Sequence, residues 1–120
     1  MLSFQKIFGV FSALLFFASA VVQFNDPDAL RWVFIYGVGG VFSLLFVFGK
    51  LKLSWAILLF CFYLGLSLYS WPDTFEGVTI GEGDIVNIER GREALGMLLA
   101  AALMLGFVIF LFRTAKTKTT

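Results

Sequence analysis

At 120 residues, 60% hydrophobic and only 14% charged, against roughly a quarter charged in an ordinary soluble domain, the chain is built for a solvent other than water. Nine Lys plus Arg against eight Asp plus Glu give a net charge of +1, so there is no basic surface to drive phosphate-backbone binding, and nucleic acid is excluded as an expected partner. There is no His and one Cys, Cys61, which excludes Ser/His and Cys/His nucleophile pairs, an internal disulfide, a CxxC redox pair and a thiolate zinc site.

A bilayer core about 30 Å thick needs roughly 17 to 25 apolar residues of helix. Four stretches qualify: residues 7–24, 29–48, 54–71 and 94–112. None carries a charge near its centre. In hydrocarbon every backbone N–H and C=O must be satisfied within the segment, so these spans are expected as helices. The expected fold is all-α: one integral membrane four-helix bundle of antiparallel, up-down topology over residues 1–120.

The first span has a rival reading. Lys6, an apolar run and Ala18, Ser19, Ala20 together resemble a cleavable signal peptide, which would give a mature chain starting at Val21. The apolar run continues past that point, so retention as a helix is the expectation. After Phe24, the run Asn25, Asp26, Pro27, Asp28 is a helix-start signal, with Asp26 as N-cap, Pro27 at the first helical position and Asp28 favoured by the positive helix terminus. The first two helices are therefore expected as a tight hairpin. Gly49 to Lys52 make the second turn and Pro72 stops the third helix. In the loop 72–88, residues 78–80 and 85–87 could pair as a short β-hairpin across the intervening glycines.

Charge orients the bundle. Lys6, Lys50, Lys52, Arg113, Lys116 and Lys118 fall at one end, and all eight acidic residues fall at the other. Because Lys and Arg accumulate on the cytoplasmic side, both termini are expected to be cytoplasmic. Trp32, Tyr69 and Trp71 are expected at the outer headgroup layer and Trp55 at the inner one. The basic tail 113–120 reads as a disordered end facing anionic lipid. Brevity and minimal extramembrane regions suit a bacterial inner membrane.

Helices in lipid associate through small residues and polar contacts. Candidate packing stripes are Gly9, Ser12, Ser19 and Gln23, interrupted by Phe16; Trp32, Tyr36, Gly40 and Ser43; Cys61 with Gly65; and Gly96 with Ala100. Cys61 reads as a small buried residue, and the sixteen Phe as lipid-facing and interhelical packing.

Arg31, Arg90 and Arg92 contradict the charge pattern, each standing near an expected helix N-terminus where the macrodipole disfavours cations. Asp28 with Arg31 and Arg90 with Glu93 have ion-pair spacing. Arg92 is expected to reach the 25–28 turn, with Glu93 facing Gln23, Trp32 or Tyr36. The candidate site is thus Gln23, Asn25, Asp26, Asp28, Trp32, Tyr36, Arg92 and Glu93, with no catalytic residue, metal ligand or cofactor assigned.

Gln23, the Asn25-Asp26-Pro27-Asp28 run, the following Trp32 and Tyr36, and Gly91-Arg92-Glu93 opening the last helix resemble the transmembrane protein 220 family of small four-helix membrane proteins. The resemblance spans most of the chain. It implies the fold and the focal residues and brings no activity with it. Arg90 stands where that pattern favours an acidic residue, which weighs against a purely acidic metal site.

Three classes of function fit. In the first, the cluster is a cap and ion-pair clasp in a structural or interaction protein whose partners are the bilayer and another membrane protein or a second copy of the chain. In the second, Asn25, Asp26, Asp28 and Glu93 offer hard oxygen ligands to a divalent cation, or Arg92 binds an anion, for recognition or transport. In the third, Asp28 and Glu93 act as acid and base in an intramembrane enzyme, which requires separated pKa values. The first is the leading expectation, with no enzymatic activity.

Overall fold

The computed structural model describes residues 3–25, 29–72, 74, 75 and 83–119, and of these the side chains of all but 3, 25 and 115–119. It contains four α-helices and, among the described residues, no strand: α1 is Ser3–Val22, α2 Ala29–Val47, α3 Leu53–Ser70 and α4 Ile85–Thr119, with a 3-10 turn Gln23–Asn25 after α1. All four are long and apolar enough to cross a membrane.

The helix ends follow from local chemistry. α2 closes in a Schellman motif: Gly49 adopts φ +74°, its N–H bonds the Phe46 carbonyl at 3.0 Å, and the Lys50 N–H bonds the Leu45 carbonyl at 2.7 Å. Only glycine takes that left-handed conformation without cost from a Cβ. α3 is followed by its C-cap Trp71, whose N–H bonds the Leu68 carbonyl at 3.3 Å, just before Pro72. The expected cap at Asp26 to Asp28 lies outside the described residues.

Several expectations about helix ends are corrected. α4 starts nine residues before Ala94 because Asp84 caps it: its Oδ1 accepts the Val86 N–H at 2.9 Å, and its carbonyl accepts the Ile88 N–H at 3.0 Å. Residues 85–87 are therefore helical and do not form the second strand of a hairpin; residues 78–80 lie outside the described part. At its other end α4 continues to Thr119, since no Gly or Pro after Phe107 stops it, so the tail expected to be disordered is helical. α1 likewise starts at Ser3, ahead of Ile7, and ends at Val22.

Each helix buries a stripe at spacings of three and four. On α2 the stripe is Trp32, Ile35, Tyr36, Gly39, Gly40, Ser43 and Phe46; on α3 it is Ala56, Leu59, Tyr63, Ser67 and Ser70. Along α4 the fully or nearly fully buried residues run from Ile88 and Ala94 through Met97, Ala100, Ala101 and Met104 to Phe107. The opposite faces are apolar as well, with Ile7, Phe11, Leu14, Leu30, Phe34, Leu58, Leu68 and Leu99 all exposed. An exterior of that kind far exceeds the apolar patches that soluble monomers tolerate, and hydrocarbon is its natural surrounding.

α1 packs chiefly on α2, and α3 chiefly on α4. Between α1 and α2, a Cβ at Gly9 would meet Val47 and Phe46, one at Gly39 would meet Phe16, and one at Gly40 would meet Phe17. Between α1 and α4, Phe8 stacks edge-on to Phe107 at 5.2 Å and Phe4 to Phe110 at 6.0 Å. Phe46 of α2 closes this aromatic layer against Phe107 at 4.6 Å. Midway along the bundle, Phe16 lies nearly parallel to Tyr63 at 5.7 Å. Phe16 thus does not interrupt the small stripe of α1; it is the side chain that the stripe's neighbours, above all Gly39, make room for.

Cys61 is exposed, and a Cβ at Gly65 would have nothing within 4 Å. Both lie two residues from the buried Tyr63, on the far side of α3, so the expected packing patch there is absent. Trp32 is only 4% exposed, because it belongs to the core stripe of α2; it is not a headgroup-facing ring. Tyr69, Trp71 and Trp55 are exposed at helix ends. The Lys52 ammonium lies over the Trp55 ring, 5.1 Å from its centroid.

Candidate functional site

The end of the bundle that carries the acidic residues is built from the last turn of α1, the start of α2 and the second to fourth turns of α4. Gln23, partly buried, donates from Nε2 to the Ser19 carbonyl at 3.1 Å, one turn back in its own segment. Asn25 closes the 3-10 turn. Asp26 and Asp28 lie outside the described residues, and with them the expected contacts of Asp28 to Arg31 and of the turn to Arg92.

Trp32 and Tyr36, one turn apart on α2, lie with ring centroids 6.2 Å apart and tilted by 32°. The Arg31 guanidinium sits over the Trp32 ring at 5.3 Å. A cation–π contact of this kind holds a cation beside a helix N-terminus. Tyr36 is buried, and its hydroxyl points at α4: a Cβ at Gly96 would come within 2.5 Å of it. One turn earlier on α4, the partly buried Glu93 lies within electrostatic reach of Tyr36. The structure therefore brings Tyr36 of α2 against α4, with Trp32 beside it on its own helix and the absent side chain of Gly96 permitting the approach. Arg92, next to Glu93 in sequence, is on the exposed side of α4.

Gly91, Arg92 and Glu93 do not open α4; they lie in its second and third turns, because Asp84 starts the helix earlier. Among the described residues, no group of three Cys, Asp or Glu side chains converges to hold a metal ion.

A family model described as Transmembrane family 220, helix matches residues 15–109. The chain belongs to this family. The matched segment contains α2 and α3 whole, the second half of α1 from Leu15 on, most of α4, and every residue of the candidate site. No solved structure matches the chain. It is an integral, multi-pass membrane protein of four helices whose outward faces contact the lipid bilayer.

Two hydroxyl groups that sequence reasoning passed over, together with Ser43 of the expected α2 stripe, hold the interior of this family member. Tyr63, fully buried, donates to the Ile35 carbonyl at 2.7 Å and so ties α3 to α2. Ser67 donates to the Ala94 carbonyl at 2.7 Å, tying α3 to α4. Ser43 donates to the Gly39 carbonyl, within its own helix, at 2.8 Å. The signal was present in the sequence: Tyr63 and Ser67 stand one helical turn apart inside an apolar span, where each hydroxyl requires an acceptor that lipid does not provide.

Proposed function

We propose that this member of the family is a structural or interaction protein of a bacterial inner membrane. In this reading it crosses the bilayer four times in antiparallel, up-down order with both termini cytoplasmic, and works through protein contact, with no catalytic or transport step. The carrying observation is the approach of the Tyr36 hydroxyl to Gly96 across the α2–α4 boundary, with Trp32 beside Tyr36 on α2 and Glu93 one turn before Gly96 on α4. The deeper interior supports the same reading. The hydroxyls of Ser43, Tyr63 and Ser67 are engaged by main-chain carbonyls, and Phe16, Phe46, Met97, Met104 and Phe107 fill the space between helices. This is the chemistry of helix fastening.

Antiparallel order is supported by contacts that run in opposite directions along neighbouring helices: Gly9 against Val47 and Gly39 against Phe16, or Phe4 against Phe110 and Phe8 against Phe107. The orientation is supported by the lysines grouped at the opposite end from the carboxylates.

Two experiments test the reading. A cysteine pair replacing Asp28 and Arg92 in a Cys61→Ala background should form a disulfide under mild oxidation; no crosslink would leave the two motifs as separate helix starts. Thermal stability of the purified chain in detergent should be indifferent to calcium, magnesium and phosphate. Stabilisation by any of them would replace the clasp with a binding site. Orientation is read separately: fusion of a periplasm-active phosphatase after Glu82 should give activity, and an inactive fusion there would invert the topology.

A further inference from the structure

The face of α1 that looks away from the bundle carries a groove of about 350 Å³ lined by Lys6, Ile7, Val10, Phe11 and Leu14. These residues share one side of the helix at spacings of one, three and four, opposite to the face on which Gly9, Ser12, Ala13 and Phe16 are buried. From Lys6 to Leu14 the groove runs for roughly 12 Å along the axis, most of one leaflet's half of a core about 30 Å thick. Its walls are apolar, and its only charged residue stands at the end where α1 begins. An amphiphile with an anionic head and an apolar tail has the matching order of chemistry: the head at the membrane surface, the tail pointing inward.

We propose that this groove is a binding site for an anionic phospholipid of the cytoplasmic leaflet, with the phosphate on the Lys6 ammonium and the upper part of one acyl chain along Ile7, Val10, Phe11 and Leu14. The leaflet assignment rests on the orientation proposed above; the binding itself does not. Charge argues against the competing occupant. A second copy docked through the same face, side by side in one membrane, would set Lys6 beside Lys6 at the membrane surface, and like charges at close range repel. An anionic headgroup removes that conflict. It also gives a lysine near the end of a span a fixed phosphate partner where it would otherwise extend to general headgroup water.

The test uses the full chain purified in mild detergent, with lipid retention read by native mass spectrometry while phosphatidylglycerol or phosphatidylcholine of the same acyl chains is titrated in. The unsubstituted chain should retain phosphatidylglycerol in preference to phosphatidylcholine. Lys6→Gln should weaken phosphatidylglycerol by about fivefold, the effect of one cation near an anionic surface. Val10→Trp, which fills the groove and keeps the charge, should weaken both lipids. Lys52→Gln removes a cation at the same end of the molecule but outside the groove, and should leave retention unchanged. The proposal is overturned if Lys6→Gln and Lys52→Gln behave alike, if the two lipids are retained equally, or if Val10→Cys in the Cys61→Ala background crosslinks to a second copy. Because retention is read in detergent, a negative result leaves the phosphatase fusion free to report orientation, and an inverted fusion would move the site to the other leaflet without abolishing it.

Discussion

Replacing Gly39 by alanine is the sharpest probe of how α1, α2 and α3 meet. A Cβ there would run into the Phe16 ring and come within 2.5 Å of the Tyr63 hydroxyl. Neither neighbour has room to retreat: Phe16 is 2% exposed and Tyr63 fully buried, and the Tyr63 hydroxyl is held by the Ile35 carbonyl. Overpacking of this kind costs about 1–3 kcal/mol. Gly37, two residues earlier on the same helix, is the matched control, because a Cβ there meets nothing within 4 Å. Both substitutions gain the same helix propensity, about 1 kcal/mol over glycine, so their difference isolates the steric term. Unfolding in mixed micelles titrated with sodium dodecyl sulfate, followed by tryptophan fluorescence, should show Gly37→Ala equal to or more stable than the parent, and Gly39→Ala less stable than Gly37→Ala by about 1–3 kcal/mol. Placing Gly39→Ala on Tyr63→Phe should cost less than the sum of the two, since one of the clashing atoms is already gone. If the two alanine variants unfold within about 0.5 kcal/mol of each other, the close approach of Phe16 and Tyr63 to α2 is wrong.

Other consequences can be checked in the same system. Gly96→Ala should destabilise the parent and be close to neutral on Tyr36→Phe, because the Tyr36 hydroxyl is the near neighbour of the added methyl; equal cost in both backgrounds would refute the α2–α4 junction. Asp84→Ala should cost about 1 kcal/mol as a lost N-cap and speed amide exchange in the first turn of α4, whereas unchanged exchange at Val86 would show that the cap is idle. Ser67→Ala should cost about 0.6 kcal/mol, the average for an interhelical hydrogen bond in a membrane. Cys61→Leu should unfold within about 0.5 kcal/mol of the parent, while Ala56→Leu at a fully buried position should cost about 1–3 kcal/mol by overpacking; an equal cost at both positions would contradict the exposed position of Cys61.

Helix number, class and solvent were legible in the sequence because four long apolar runs leave the backbone no alternative in hydrocarbon. The core stripe of α2 was legible for a related reason: Trp32, Tyr36, Gly40 and Ser43 recur at helical spacing among residues that lipid does not favour. Where inside and outside are equally apolar, that contrast disappears. Cys61 and Gly65 look like a packing patch by size alone, yet α3 turns Tyr63 and Ser67 inward, since a hydroxyl seeks a carbonyl more strongly than a small residue seeks a neighbour. The start of α4 was misread because hydropathy marks where the helix enters lipid, while Asp84 marks where it begins. At the candidate site, the inward turn of Trp32 and Tyr36 could be anticipated from their helical spacing on α2. The role of Gly96 depended on the rotation of α4, which sequence spacing does not determine.

The uneven distribution of packing, with α1 held mostly by α2 and α3 mostly by α4, makes the molecule a pair of two-helix halves closed upon each other. Each half can enter the bilayer and zip along its own length before the other is synthesised. What then joins them is a few side-chain tips at separate depths: the Tyr63 hydroxyl on Ile35, the rings of Phe46 and Phe8 on Phe107, and Tyr36 beside Gly96. A seam fastened at points opens at lower free energy than either half unzips.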